Sequence, residues 1–268
     1  MITYIYIIIG KIIPLIERSG RELFADIGKY EACGIFTKGH FILITITIVG
    51  ILIALKQTIK KNKEEVYKII KRVTMVMCLL ETLKIIYNIK QNSIHAVNTY
   101  LPLYYCSILL YAGLLSSFGK GSLKRAGEVS LATGAVIGGI VFLIYPSTSL
   151  PIYPAFHIVS IYSFLFHGVM IYLGILLNKT KYIELKKGDI KYFASLIGVM
   201  CVVALMVNHV LGSNLMFISN NFPGNPIEIL YRITKGGILY NVIMIITQMT
   251  IPFYLSYYVI KKTRHISM

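Results

Sequence analysis

Seven long apolar runs, separated by loops that alternate between Lys/Arg-rich and Lys/Arg-poor, leave this chain few ways to fold. A helical membrane span needs roughly 20 mostly apolar residues. The runs lie at Thr37–Leu55, Val73–Ile89, Tyr100–Phe118, Ala126–Tyr145, Pro154–Leu177, Lys191–Leu211 and Gly236–Ile260. β-Branched residues are common in them, but lipid permits only helices or closed barrels. The runs are far longer than barrel strands and do not alternate with period two, so helix is expected. With 56% hydrophobic and 14% charged residues in 268, no length remains for a separate soluble domain. The expected fold is an all-α bundle of seven transmembrane helices, residues 37–260. Residues 1–36 precede it, and a basic tail, 261–268, follows it.

The loops give an orientation. Seven Lys/Arg residues lie in Lys56–Arg72, three in Gly119–Arg125, four in Asn178–Ile190 and three after Ile260. The intervening connections carry Lys90 alone, none over Tyr145–Tyr153, and Arg232 with Lys235. Positive loops stay inside, which puts the C-terminus in the cytoplasm and the N-terminus outside, in a plasma membrane. This distribution also accounts for the net charge of +16. Short basic loops meet anionic headgroups rather than nucleic acid. The segment Ile2–Ile16 is apolar but short, interrupted by Lys11 and Pro14. It lacks a basic leader and a small-residue cleavage site, and reads as an interfacial or re-entrant helix. There is no Trp, so Tyr residues supply the interfacial belt.

Orientation places each polar residue at a depth. Glu81 and Lys84 lie mid-span, three residues apart on one helix face. They form either a mutually neutralising packing pair or part of a polar site. His40, Cys106, His157 and Asn208 fall towards the outer side, His167 near the middle, and Asn214 in the outer connection. A Cys beside a His can act as a nucleophile, with an Asn or backbone N–H to hold an oxyanion. Cys106, His157 or His167, and Asn208 or Asn214 supply that inventory. Cys106 is otherwise a small packing residue, as Cys78 and Cys201 are expected to be. The stripes Ser130/Gly134/Gly138 and Cys106/Gly113/Ser117 read as helix-packing surfaces. No CxxC pattern occurs. His157 and His167, separated by about 80° and about 15 Å along a helix, do not share a metal.

The outer-side residues resemble those of the YwaF-type bacterial integral membrane proteins. The matching stretches are Leu101-Pro102-Leu103-Tyr104-Tyr105-Cys106, Tyr153-Pro154-Ala155-Phe156-His157 with Phe166-His167-Gly168, and the string from Asn208 to Phe217. That family is distantly similar to a eukaryotic transmembrane acyltransferase that remodels ether phospholipids through a Cys and a His. The resemblance implies Cys106 as nucleophile and His157 or His167 as base. The family usually has His where this chain has Tyr104, Asp where it has Ser107, and an aromatic residue where it has His209.

The first expectation is therefore a membrane-embedded acyltransferase acting on phospholipid acyl chains. Asn208 and Asn214 would order its site, with His40, Tyr104, Glu81 and Lys84 orienting substrate. Membrane lipids are the partners, and neither metal nor cofactor is implied, because a phospholipid can donate the acyl group. A transporter component or small-molecule sensor using the same outer pocket is the second reading. A non-enzymatic assembly subunit is the third. The topology itself is testable: a tag fused after Met268 should be protected from an impermeant reagent in intact cells. Labelling of that tag from outside would invert the orientation.

Overall fold

The computed structural model describes residues 20–92 and 97–266, and the expected interfacial helix Ile2–Ile16 lies outside them. The described residues form helices without strands. These are α1 (Lys38–Thr58), α2 (Lys63–Asn92), a single turn α3 (Val97–Tyr100), α4 (Ile108–Phe118), α5 (Gly121–Ala132), α6 (Gly134–Ile144), α7 (Ile158–Lys179), α8 (Ile190–Leu211), α9 (Ile227–Thr234) and α10 (Gly237–Ile266). Five helical units are long and apolar enough to cross a membrane: α1, α5 with α6, α7, α8 with the turn before it, and α10. Helix α2 contains the expected second run but is 30 residues long and carries charges along its length. The third run is shorter than expected. Pro102 lacks an N–H, and the chain stays non-helical from Leu101 to Tyr104 before a 3-10 turn, Tyr105–Ser107, leads into α4. Cys106, which a run starting at Tyr100 would put about two turns into a span, accordingly stands at the entry of a helix.

The expected fourth run is one span in two helices. It breaks at Thr133, whose φ of −125° and ψ of −83° lie outside the helical region. Side chains donate to three carbonyls at the break. Asn178 Nδ2 donates to the Ala132 carbonyl at 2.9 Å, Ser256 Oγ to that of Thr133 at 3.0 Å, and Tyr105 Oη to that of Gly134 at 3.3 Å. Irregular backbone at membrane depth requires such partners.

Helix α7 is the centre of the bundle and packs against α1, α2, α5 and α6. Its Met170, Leu173, Leu176 and Leu177 are fully buried. Helices α2 and α4 pack side by side, as do α5 and α8, and α8 and α10. Small residues set the close approaches. A Cβ on Gly138 would meet the Tyr105 ring and Met170, and one on Gly139 the His167 carbonyl at 2.7 Å. At the end carrying the basic loops, Arg125 pairs with Asp189 and donates to the Glu184 carbonyl at 2.7 Å. At the other end the Cys33 and Gly34 N–H groups donate to the Tyr153 and Leu150 carbonyls. That contact holds the α6–α7 connection over the bundle. Nearby, the Gly224 N–H and the Arg232 guanidinium hold the Glu228 carboxyl below the usual carboxylate range.

The tightest helix pair is α4 with α5. A Cβ on Gly127 would lie 2.4 Å from the Ser116 nitrogen and 2.5 Å from the Ala112 carbonyl oxygen, both backbone atoms. Gly127→Ala should therefore destabilise the protein by about 1–3 kcal/mol, read as a lowered thermal midpoint in lipid nanodiscs. Gly50→Ala, inside α1 with nothing within 4 Å, should not lower it and should raise stability by up to about 1 kcal/mol, because Ala is the better helix former. Equal midpoints for the two variants would refute the close packing.

Candidate functional site

A cavity of about 280 Å³ opens between α2, α7 and the segment before α4, at the end of the bundle away from the basic loops. Three elements bring chemistry to it. Helix α2 supplies Glu81 and Lys84, the turn before α4 supplies Tyr104 and Cys106, and α7 supplies Tyr162, Ser163 and His167. Phe217 and Phe222, from the connection after α8, close part of the wall. The polar and apolar lining residues are mixed, as in many small-molecule sites.

Glu81 is buried and both its oxygens are occupied. Oε1 accepts from Lys84 Nζ at 2.6 Å and Oε2 from Tyr162 Oη at 2.6 Å. Lys84 Nζ also stands 5.7 Å from the Tyr162 ring centroid. The α2 pair is thus tied to α7 through a phenol, which sequence reasoning did not single out. Its signal was there: Val159, Tyr162, Ser163, Phe166 and His167 recur at helical spacing, one face of α7.

The three histidines divide by what their ring nitrogens do. His40 Nδ1 accepts from the Phe36 N–H at 3.1 Å, and its Nε2 bonds the Leu143 carbonyl at 2.9 Å. His157 caps α7, its Nδ1 accepting from the Val159 N–H at 3.2 Å. Its Nε2 lies 3.1 Å from the Ala25 carbonyl and 3.2 Å from Tyr87 Oη. Both rings are spent on structure, and neither lines the cavity. His167 does. Its Nδ1 bonds the Ser163 carbonyl at 2.7 Å, so Nδ1 carries the proton. The neutral ring then has its lone pair on Nε2. Phe142 stacks on the ring at 3.6 Å between centroids and fixes its plane.

Asn208 and Asn214 are also absent from the lining, and they brace the connection after α8. Asn208 Oδ1 accepts from the Leu215 N–H and from Ser213 Oγ, both at 2.7 Å, and its Nδ2 donates to Ser219 Oγ at 2.8 Å. Asn214 Oδ1 accepts from the Asn220 N–H at 2.9 Å, and Asn98 Oδ1 accepts from the Asn214 N–H at 3.0 Å. Just after Asn214, Met216 and Phe217 take left-handed φ values of 58° and 53°. Such non-glycine residues cost on the order of 1–3 kcal/mol each and persist only when surroundings enforce them. Gln248 and Tyr240 donate to their carbonyls at 3.0 and 2.6 Å. The result presses Phe217 against Tyr104, 5.0 Å between ring centroids.

Cys106 itself makes no hydrogen bond to a His among the described residues, and all four cysteines are free thiols. No group of three His, Cys, Asp or Glu side chains among the described residues converges on a metal position.

The long apolar helices define a multi-pass helical membrane protein. The chain belongs to the TMEM164 family, whose model matches residues 35–258 and so takes in every helix that lines the cavity. No curated protein and no solved structure matches the chain.

The Glu81–Lys84 pair generates a stability prediction. Lys84→Met should cost about 1–3 kcal/mol, below the fully buried range because the Lys84 side chain is 23% exposed. The double variant Glu81→Gln/Lys84→Met should cost less than Lys84→Met alone, because it leaves no unpaired carboxylate. Thermal unfolding of the three proteins checks this, and additive losses would contradict it.

Proposed function

We propose that this protein is a membrane-embedded acyltransferase acting on phospholipid acyl chains, with Cys106 as nucleophile and His167 as base. In this reading seven spans cross the plasma membrane, with the N-terminus outside and the cavity opening to the outer leaflet. The observation that carries it is the shared cavity, in which His167 alone of the three candidate histidines keeps a lone pair on Nε2. The place of Cys106 adds support. The thiol lies in the first turn leading into α4, where the positive end of a helix offsets part of what burial costs a thiolate. The thiol proton passes to His167 Nε2, and the sulfur attacks the ester carbonyl of a phospholipid. The carbon–oxygen bond breaks, and the leaving alkoxide takes the proton from His167. The thioester then passes its acyl group to an acceptor hydroxyl by the reverse steps. Tyr104 and Phe217 line the apolar side of the path, and Asn208 and Asn214 hold Phe217 in place.

A small-molecule transporter component or sensor is the second reading, favoured by the Glu81–Lys84 pair in the cavity wall. Lipid analysis of cells expressing the native and variant proteins at equal abundance separates the two. Cys106→Ser and His167→Ala should each abolish the acyl-chain changes that the native protein produces, by at least about 100-fold in initial rate. His157→Gln should lower thermal stability and leave the residual folded protein active. Unchanged lipids on expressing the native protein, or full activity of Cys106→Ser, would remove the acyltransferase reading.

A further inference from the structure

The cavity holds a cation that the proton transfer above does not use. Among the described residues that line it, Lys84 is the one Lys or Arg. The charged and titratable groups that line the cavity with Cys106 are Glu81 and Lys84 from α2, Tyr162 and His167 from α7, Tyr153 from the α6–α7 connection, and Tyr104 on its own segment. Lys84 is also held in place. A lysine on a membrane helix ordinarily extends its flexible stem towards the interface. Here Glu81 Oε1 fixes its ammonium at 2.6 Å, and Tyr162, which occupies the other Glu81 oxygen, lies beneath it. An ammonium has three donors, and Glu81 takes one.

We propose that Lys84 is the counter-cation of the Cys106 thiolate, and that Glu81 and Tyr162 are positioning residues acting through it. The proposal rests on Cys106 being the nucleophile. When the Cys106 S–H bond breaks, the proton goes to His167 Nε2 and the sulfur keeps the electron pair. Lys84 stabilises that negative charge across a cavity walled largely by apolar side chains, where a charge acts more strongly than in water. Glu81 has two opposed effects: its bond holds Lys84 in the cavity, and its charge offsets part of the field at the sulfur. In Glu81→Gln the amide keeps an oxygen that accepts from Lys84 and loses the charge, so the first effect is retained, the second is removed, and the signs of the two single variants differ. Removing the cation disfavours the thiolate, whereas neutralising the carboxylate favours it. A pair that served packing alone would make both variants shift thiol accessibility in the same direction.

The test is the alkylation rate of Cys106 by iodoacetamide at pH about 7.5, near which thiolate population governs the rate, in the full chain in lipid nanodiscs with Cys33, Cys78 and Cys201 replaced by Ala. Lys84→Met should slow labelling about tenfold, the effect of one nearby charge on thiolate population. Glu81→Gln should speed it about threefold. Lys84→Arg should restore the rate to within about twofold of the parent, since the charge is kept. Equal rates throughout, or changes of the same sign in Lys84→Met and Glu81→Gln, would overturn the proposal. If Lys84→Met does not fold, Glu81→Gln decides alone, and a rate at or below the parent's overturns it. Lipid analysis keeps the two readings apart. Charge-dependent labelling with inert lipids retains Lys84's role and removes acyl transfer. Active lipids with charge-independent labelling do the reverse.

Discussion

A bundle in hydrocarbon has no water to satisfy a freed backbone carbonyl, and much of this architecture follows from that constraint. At the break at Thr133 the carbonyls of three successive residues accept from side chains. Their donors come from three different elements: Asn178 at the end of α7, Ser256 on α10 and Tyr105 before α4. The last of these matters most for the site. Tyr105 precedes Cys106, its hydroxyl is tied to α6 and its ring fills the space beside Gly138. The break in α5–α6 thus anchors the turn that carries the thiol.

The same demand for partners sorts the polar side chains of the cavity. Glu81 spends both oxygens on Lys84 and Tyr162, and His167 spends one nitrogen on its own helix. His40 and His157 spend both, and so serve as braces for the turns at the end of the bundle where the cavity lies. What remains for chemistry is what these bonds leave over: a thiol, one imidazole lone pair and the remaining donors of one ammonium.

Much of this was written in the pattern of apolar runs. Helices occupy all of the expected runs, because length and hydropathy depend little on neighbours. The exceptions have local causes that the pattern does not weigh. Pro102 delays α4, and Thr133 interrupts a run whose apolar content is continuous. The site was legible in part. The family-like stretches contain Cys106 and His167, but residue type alone does not tell a cavity-lining histidine from a helix cap. His157 differs from His167 in its bonds, which depend on Ala25 and Tyr87, distant in sequence. Tyr162 escaped notice because tyrosine is common here, and its partner Glu81 lies on another helix.

The hairpin of α4 and α5 has a kinetic side. Its helices are joined by Gly119 and Lys120 alone, and Gly127 brings their backbones together over a short length of chain. Closing so small a loop costs little chain entropy, and contacts between near neighbours form fastest. As the chain emerges during synthesis, this pair can dock while α7 is still to come. Cys106 then waits at the edge of a finished unit, and the arrival of α7 delivers Tyr162 and His167 together, on one face of one helix. Phe217 and Phe222 follow with α8 and close the wall last.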